Sequence, residues 1–147
     1  MKLKTIYLLI ILIFISCKKE NIEGILIGKT LLENQSLSEN KKLDSIIKLT
    51  LKGDFNSLRR LNHFSCNEGA GCYDKGYILT QIIYKIGEKD FNKMVAKLDK
   101  KELYGIEDYI EVGLKYGDNN YDGKIDNKKP KIEFPLLMKQ LQEKNEN

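Results

Sequence analysis

Three residues that could do chemistry lie close together in the stretch HFSCNEGAGCYD, residues 63–74. His63 is the only histidine of the chain, and Cys66 and Cys72 are two of its three cysteines. Such a group could form a metal site, a reactive thiol with a histidine partner, or a disulfide. The compartment in which the chain works decides among these, because thiols pair in an oxidising space and stay reduced in the cytoplasm.

The segment around the third cysteine, Cys17, indicates that compartment. Lys2 and Lys4 precede an unbroken apolar run of ten residues, residues 6–15. A helix that spans a bilayer needs roughly 20 residues, so this run is typical of a secretory signal instead. The run ends in FISC at Cys17, which resembles the lipobox of bacterial lipoproteins. An uncleaved anchor with an ordinary cysteine is the alternative.

The lipobox resemblance implies a domain organisation and a location. In that family the signal, here residues 1–16, is removed, and the new terminal cysteine, here Cys17, is acylated with fatty acids such as palmitate. We expect a polar, lipid-anchored tether over residues 17–39 and a helical domain over residues 40–147. Lys18 follows the cysteine where aspartate would retain a lipoprotein at the inner membrane. The resemblance therefore implies an envelope protein at the outer membrane, facing the periplasm.

Export makes a disulfide the preferred fate of Cys66 and Cys72. With Cys17 assigned to the anchor, these two cysteines form an even pair in an oxidising space. The loop between them contains two glycines, which lets so short a loop close on itself. The metal alternative matches no zinc-ligand spacing, and a catalytic thiol would depend on His63 alone. We expect His63 to lie at a helix end.

From residue 40 onwards, apolar residues recur with helical spacing. We predict an all-α fold, a short stack of helical hairpins with about five to six helices. The predicted apolar stripes are Leu43–Leu51, Phe55–Leu61, Ile78–Ile86, Phe91–Leu98 and Leu103–Leu114, and Pro135 is expected to open a last helix.

A weak internal repeat supports the hairpin interpretation. Residues 46–58 align without gaps on residues 82–94, and both segments contain Asp-Phe-Asn after a turn. Asp54 and Asp90 are expected to cap the helices that follow. Helical repeats of similar length build stacked structures, although chance similarity between two amphipathic hairpins is an equal alternative.

Tyr73, Tyr77 and Tyr84 fall on the side of the third helix opposite its isoleucines, at 100° per residue. A helix that is apolar on both faces is either covered twice within a stack or presents one face to a partner. Both alternatives are open from the sequence, and tyrosine is favoured in protein interfaces.

The acidic stretch DNNYDGKID, residues 118–126, resembles the calcium loop of EF-hand and dockerin modules. The resemblance implies ligation by Asp118, Asn120, Asp122, Lys124 and Asp126, with a sharp turn at Gly123. The twelfth position of the loop is Lys129, where the family has a bidentate acid. A solvated Asn/Asp/Gly turn that needs no ion is the alternative.

Other functional classes have little support in the sequence. GILIGKT, residues 24–30, has three residues between its glycines where a phosphate loop needs four. The formal net charge of +4 falls once Lys2 and Lys4 are removed, so no nucleic-acid partner is indicated. We therefore expect a non-catalytic, envelope-anchored module that binds a protein partner, as a toxin-immunity or inhibitor protein would. A cell-envelope enzyme or enzyme accessory with weak calcium binding is the alternative.

Overall fold

The computed structural model describes residues 20–146, so the predicted signal and Cys17 lie outside the described residues. A small antiparallel hairpin, β1 (Asn21–Ile22) and β2 (Ile25–Leu26), opens this part of the chain. Eight helices follow in it: α1 (Lys29–Glu33), α2 (Leu37–Leu51), α3 (Phe55–Asn62), α4 (Ala70–Ile86), α5 (Glu88–Val95), α6 (Ile106–Tyr116), α7 (Pro130–Glu133) and α8 (Pro135–Glu146). The predicted all-α helical stack is confirmed, and the helices beyond the expected number are the short α1 and α7.

The long helix α4 lies at the centre of the fold. Four of its apolar side chains are fully buried: Ile78, Leu79, Ile82 and Ile83. Helix α6 makes the most extensive contact with α4, and β2, α1, α2 and α5 also pack against it. A single core therefore surrounds one helix, and α4 positions the side chains around it.

Helices α4 and α6 approach each other through two glycines. A Cβ atom at Gly76 would collide with the Tyr109 carbonyl, and one at Gly113 would collide with the Gly76 carbonyl. The two helix backbones are therefore in direct contact, which only glycine permits.

Residues 20–35, predicted as part of a polar tether, are instead part of the domain. Five apolar side chains in this region are buried against the core: Ile22, Ile25, Ile27, Leu31 and Leu32. Glu23 and Gly24 turn the hairpin with positive φ angles of 50° and 85°. The tether prediction was wrong here, because these short elements have no helical period of their own and gain stability by packing on α4 and α2.

The helix starts match the sequence signals in part. Ser36 and Glu39 form a capping box, which starts α2 before the expected residue 40. Asp54 caps α3 as predicted, accepting a hydrogen bond from the Asn56 amide at 3.1 Å. Asp90 does not cap α5, because that helix begins at Glu88 after Gly87. Asp90 lies in the first turn and pairs with Lys93. The second helix therefore begins earlier, relative to the aligned Asp-Phe-Asn, than the first helix does. The alignment of the two segments matches their apolar stripes but not their turns.

No helix in residues 20–146 is both long enough and apolar enough to cross a membrane.

Candidate functional site

Cys66 and Cys72 form the predicted disulfide, with their Cα atoms 4.9 Å apart. Cys66 follows α3, and Cys72 lies in the first turn of α4, so the bond braces the connection between these helices. Asn67, Glu68 and Gly69 all have positive φ, which is the turn that so short a loop requires. Chain entropy gives a loop of this size a stabilisation of about 2 kcal/mol.

His63 is an exposed residue at the C-terminal end of α3, as expected. Its backbone N–H donates to the Arg59 carbonyl at 3.1 Å. Within residues 20–146, no three side chains of His, Cys, Asp or Glu come together as metal ligands would. In the HFSCNEGAGCYD stretch, the two cysteines thus link α3 to α4, and the histidine ends α3.

Lys75 is a buried cation that the sequence analysis did not single out. It is 1% exposed, and it lies on α4 one turn before the buried Ile78 and Leu79. Its Nζ donates to the Asn62 carbonyl at 2.9 Å and to the Phe64 carbonyl at 3.0 Å. The same Nζ lies 3.6 Å from the centre of the Tyr109 ring. In the sequence, Lys75 stands three and four residues before Ile78 and Leu79. This helical spacing, which places a lysine in line with an apolar stripe, could have identified it as buried.

These contacts occupy the donor positions of the Lys75 ammonium. Asn62 is the last residue of α3 and Phe64 lies two residues beyond it, so the ammonium sits at the C-terminal end of this helix, where a positive charge is favoured by the helix dipole. Burial lowers the pKa of Lys75 to about 8, so the side chain stays mostly protonated at neutral pH. Lys75 therefore joins α3, α4 and α6 as a cation, and it is not a free nucleophile.

An open cavity of about 690 Å³ lies over this cluster. Its walls include His63, the disulfide, Lys75 and the rings of Tyr104 and Tyr109. Tyr104 is 84% exposed at its rim. The cavity is wide and open, and the Lys75 ammonium that lines it is already bound to two carbonyls and a ring.

The three predicted tyrosines of α4 contact the C-terminal part of the chain. The ring of Tyr73 stacks on Tyr116, with centroids 5.0 Å apart. The Tyr77 hydroxyl donates to the Asp118 carbonyl at 2.6 Å, and the Tyr84 hydroxyl donates to Glu133 Oε2 at 2.5 Å. Tyr77 is half-buried by these contacts, whereas the rings of Tyr73 and Tyr84 stay exposed on their outer sides.

Two further tyrosines extend this row. Tyr116 ends α6 beside Tyr73, and the Tyr121 hydroxyl lies 3.5 Å from Gln81 Oε1 of α4. We name the exposed set Tyr73, Tyr84, Tyr116 and Tyr121 the tyrosine face; its members are 40–58% exposed. Tyr116 and Tyr121 were not predicted to belong to this row, because their position depends on the packing of α6 against α4.

Burial raises the pKa of Tyr77 to about 12, and nearby Asp118 and Asp126 add to the effect. The pKa of Tyr84 is also raised, first by burial and then by its hydrogen bond to Glu133. Both hydroxyls therefore stay protonated at neutral pH and keep donating. The hydrogen bonds hold the two rings in fixed orientations.

The loop over residues 118–126 is closed by hydrogen bonds to its own backbone. The Asp118 carboxylate accepts from the amides of Asp122 and Gly123, each at 2.9 Å, and Asp122 accepts from the Lys124 amide at 2.9 Å. Gly123 has a φ of 82°, so the predicted sharp turn is present. Asn120 also accepts from the Asp122 amide.

The carboxylate of Asp126 has contacts of its own within this region. Its carboxylate is 4% exposed, accepts from the Asn119 amide at 2.7 Å and pairs with Lys128 at 3.4 Å. The turn that needs no ion explains these contacts. Calcium binding by Asp118, Asn120, Asp122, Lys124 and Asp126 stays a prediction.

Asp74 occupies the start of α1, where the GILIGKT stretch lies. Its carboxylate accepts from the Leu31 amide at 2.8 Å, and Gly28 packs so closely on it that a Cβ atom would collide. Burial raises the pKa of Asp74, although these hydrogen bonds oppose the shift. The side chain of Asp74 thus fills the place that a phosphate would take, and it caps α1.

Comparison with known proteins gives no relative for this chain: no protein-family model matches it, and neither do the curated proteins nor the solved structures.

Proposed function

We propose that this protein is a lipid-anchored protein of the bacterial cell envelope whose helical domain binds a protein partner without catalysis. The anchor is Cys17, and the domain faces the periplasm from the outer membrane. A toxin-immunity or inhibitor protein is the specific form of this proposal, with a toxin or an enzyme as the partner.

The main support for this proposal is the tyrosine face. Tyr73 and Tyr84 lie about 16 Å apart along α4, since each helical residue rises 1.5 Å. Tyr116 and Tyr121 widen the row on one side. Tyrosine is enriched among the residues that dominate binding energy, and rings already held in place lose little entropy on binding.

The buried titratable groups support a non-catalytic role. Lys75 is bound to two carbonyls and a ring, and Asp74 caps a helix. A general acid or base needs a free position within reach of a substrate. Asp74 does not line the open cavity beside the disulfide.

Alanine substitution in the tyrosine face is expected to break the partner complex. Each central tyrosine of an interface contributes about 2 kcal/mol, so Tyr73→Ala with Tyr116→Ala should weaken binding by more than roughly 100-fold. The measurement is partner recovery with the anchored protein in mild detergent, followed by titration of the recovered partner. Tyr104→Ala is the matched control, because Tyr104 is more exposed but lies off this face. Equal recovery of the partner with the wild type, the double variant and Tyr104→Ala would contradict the proposal.

Processing at Cys17 is tested separately by mass spectrometry of the purified protein. The mature chain is expected to begin at Cys17 and to carry the mass of its acyl groups. Cys17→Ala should yield a chain that keeps Met1 and carries no acyl mass, because the cysteine is the site of both reactions. A native protein that begins at Met1 would contradict the proposed anchor.

A further inference from the structure

The folded domain begins very close to the proposed anchor. Only Lys18 and Lys19 separate Cys17 from Glu20 in the sequence. The carbonyl of Glu20 already accepts a hydrogen bond from the Ile27 amide at 2.8 Å, next to the β1–β2 hairpin. An extended chain spans about 3.5 Å per residue, so Glu20 lies within about 10 Å of Cys17. A domain held this closely must rest near the membrane surface.

The β1–β2 hairpin packs on the C-terminal half of α4. The Leu26 amide donates to Gln81 Oε1 at 2.8 Å, and Lys85 Nζ donates to the Glu23 carbonyl. Tyr84 projects about 60° around the helix from Gln81, at 100° per residue. The side of α4 that carries Tyr84 is therefore adjacent to the side that carries the hairpin.

The segment that covers Tyr84 brings a second exposed surface to this end of α4. Glu133 binds the Tyr84 hydroxyl, the Phe134 ring lies 5.0 Å from the Tyr84 ring, and Lys128 Nζ lies 5.3 Å from it. Residues on both sides of these contacts are exposed. The hairpin near the anchor and the segment around Glu133 therefore both lie against the C-terminal half of α4.

The exposed residues of this segment include three lysines and three aliphatic side chains. We name them the lysine–isoleucine surface: Lys124, Ile125, Lys129, Lys131, Ile132 and Leu136. Ile125 is 64% exposed, Ile132 is 73% exposed and Leu136 is 50% exposed. These three aliphatic side chains lie within one segment and offer apolar contact area beside its lysines.

The acidic residues of the segment are engaged elsewhere. Asp126 is buried and paired with Lys128, Glu133 is bound to Tyr84, and Asp122 accepts a hydrogen bond from the Lys124 amide. Three lysines of residues 122–136, Lys124, Lys129 and Lys131, are exposed against one exposed acidic residue, Asp122, so the exposed charge of the surface is mainly positive. A lysine near an anionic bilayer raises partition about five-fold, and neighbouring aliphatic side chains insert between headgroups.

We propose that the lysine–isoleucine surface rests on an anionic lipid bilayer beside the acyl anchor. This inference rests on the anchoring in the proposed function and adds an orientation to it. The bilayer holds the C-terminal half of α4 and contacts the aliphatic side chains, while the phosphate headgroups pair with the lysines. Tyr84 then lies at the bilayer end of the tyrosine face, and Tyr73 and Tyr116, at the opposite end of α4, stay free for the partner.

The absence of tryptophan from the sequence provides a direct test. Ile132→Trp places a single reporter on the surface, and Leu37→Trp places a matched reporter on α2, where the leucine is 71% exposed. Each full-length protein is reconstituted in vesicles of phosphatidylcholine with or without phosphatidylglycerol. Flotation of the protein with the vesicles measures anchoring. The wavelength of tryptophan emission, together with its quenching by brominated lipid, measures contact between the labelled surface and the bilayer.

The expected result is a shift of Ile132→Trp emission to shorter wavelength, with quenching, in the vesicles that contain phosphatidylglycerol. Leu37→Trp should stay unshifted in the same vesicles. Adding Lys129→Gln and Lys131→Gln to Ile132→Trp should reduce the shift, whereas adding Lys41→Gln and Lys42→Gln, exposed lysines of α2, should leave it unchanged.

Two outcomes would overturn the inference. Protein that floats with the vesicles while Ile132→Trp emission stays unshifted would leave the anchor intact and remove the surface contact. Equal shifts at residues 132 and 37 would show that no particular face meets the lipid. Failure to float with anionic vesicles would overturn both the anchor and the surface contact.

Discussion

Gly113→Ala is expected to destabilise the protein by about 2 kcal/mol, although alanine normally stabilises a helix interior by about 1 kcal/mol relative to glycine. The added Cβ atom would collide with the backbone carbonyl of Gly76, which cannot move aside as a flexible side chain would. Helix propensity and helix packing therefore predict opposite signs for the change in the free energy of unfolding. Gly113→Val should prevent α6 from docking on α4.

The free energy of unfolding in urea, followed by circular dichroism, measures this effect. Gly76→Ala should show a similar loss, because its Cβ atom would collide with the Tyr109 carbonyl. Glu111→Ala, at an exposed position of α6, is the control and should change stability little. A Gly113→Ala protein as stable as the wild type would show that α4 and α6 lie further apart than described.

The stability of the protein is expected to rise by about 2 kcal/mol between pH 8 and pH 10, because of Lys75. Burial lowers the pKa of this lysine in the folded protein from 10.5 to about 8. Below pH 8 the side chain is protonated in both states, and folding buries the charge. Between pH 8 and pH 10 the unfolded chain keeps the proton while the folded chain releases it, so the free energy of unfolding increases.

Tyrosines limit this rise at higher pH. Burial raises the pKa of Tyr77, Tyr84 and Tyr109, so above pH 10 the unfolded chain loses protons that the folded chain keeps. Stability should then fall. Urea unfolding from pH 7 to pH 11 measures the profile. Lys75→Met should remove the rise, and Lys89→Met, at an exposed position, should keep it. A flat profile for the wild type would contradict the burial of Lys75.

Local signals in the sequence predicted the main helices and the disulfide. The apolar stripe at Ile78–Ile86 lies in α4, and Pro135 opens α8, because both signals act within one helix. The Cys66–Cys72 bond was predictable from the short glycine-rich loop and the expected compartment. Asp54 was placed correctly because its cap involves only neighbouring residues.

Features that depend on tertiary contacts were not predictable in this way. The β1–β2 hairpin and α1 are too short to show a period, and their stability comes from α4. Lys75 pairs with carbonyls of α3, which lie more than ten residues earlier. Tyr116 and Tyr121 join the tyrosine face only after α6 packs on α4, so helical spacing alone identified two of its four members, Tyr73 and Tyr84.

Photo-crosslinking in intact cells tests the proposed role of the tyrosine face most directly. A photoreactive phenylalanine analogue replaces Tyr116 on the face or Tyr104 at the cavity rim, in the full-length anchored protein. The proposal predicts a discrete adduct of higher mass from residue 116 and none from residue 104. An absence of adducts from residue 116, or the same adducts from both positions, would contradict it.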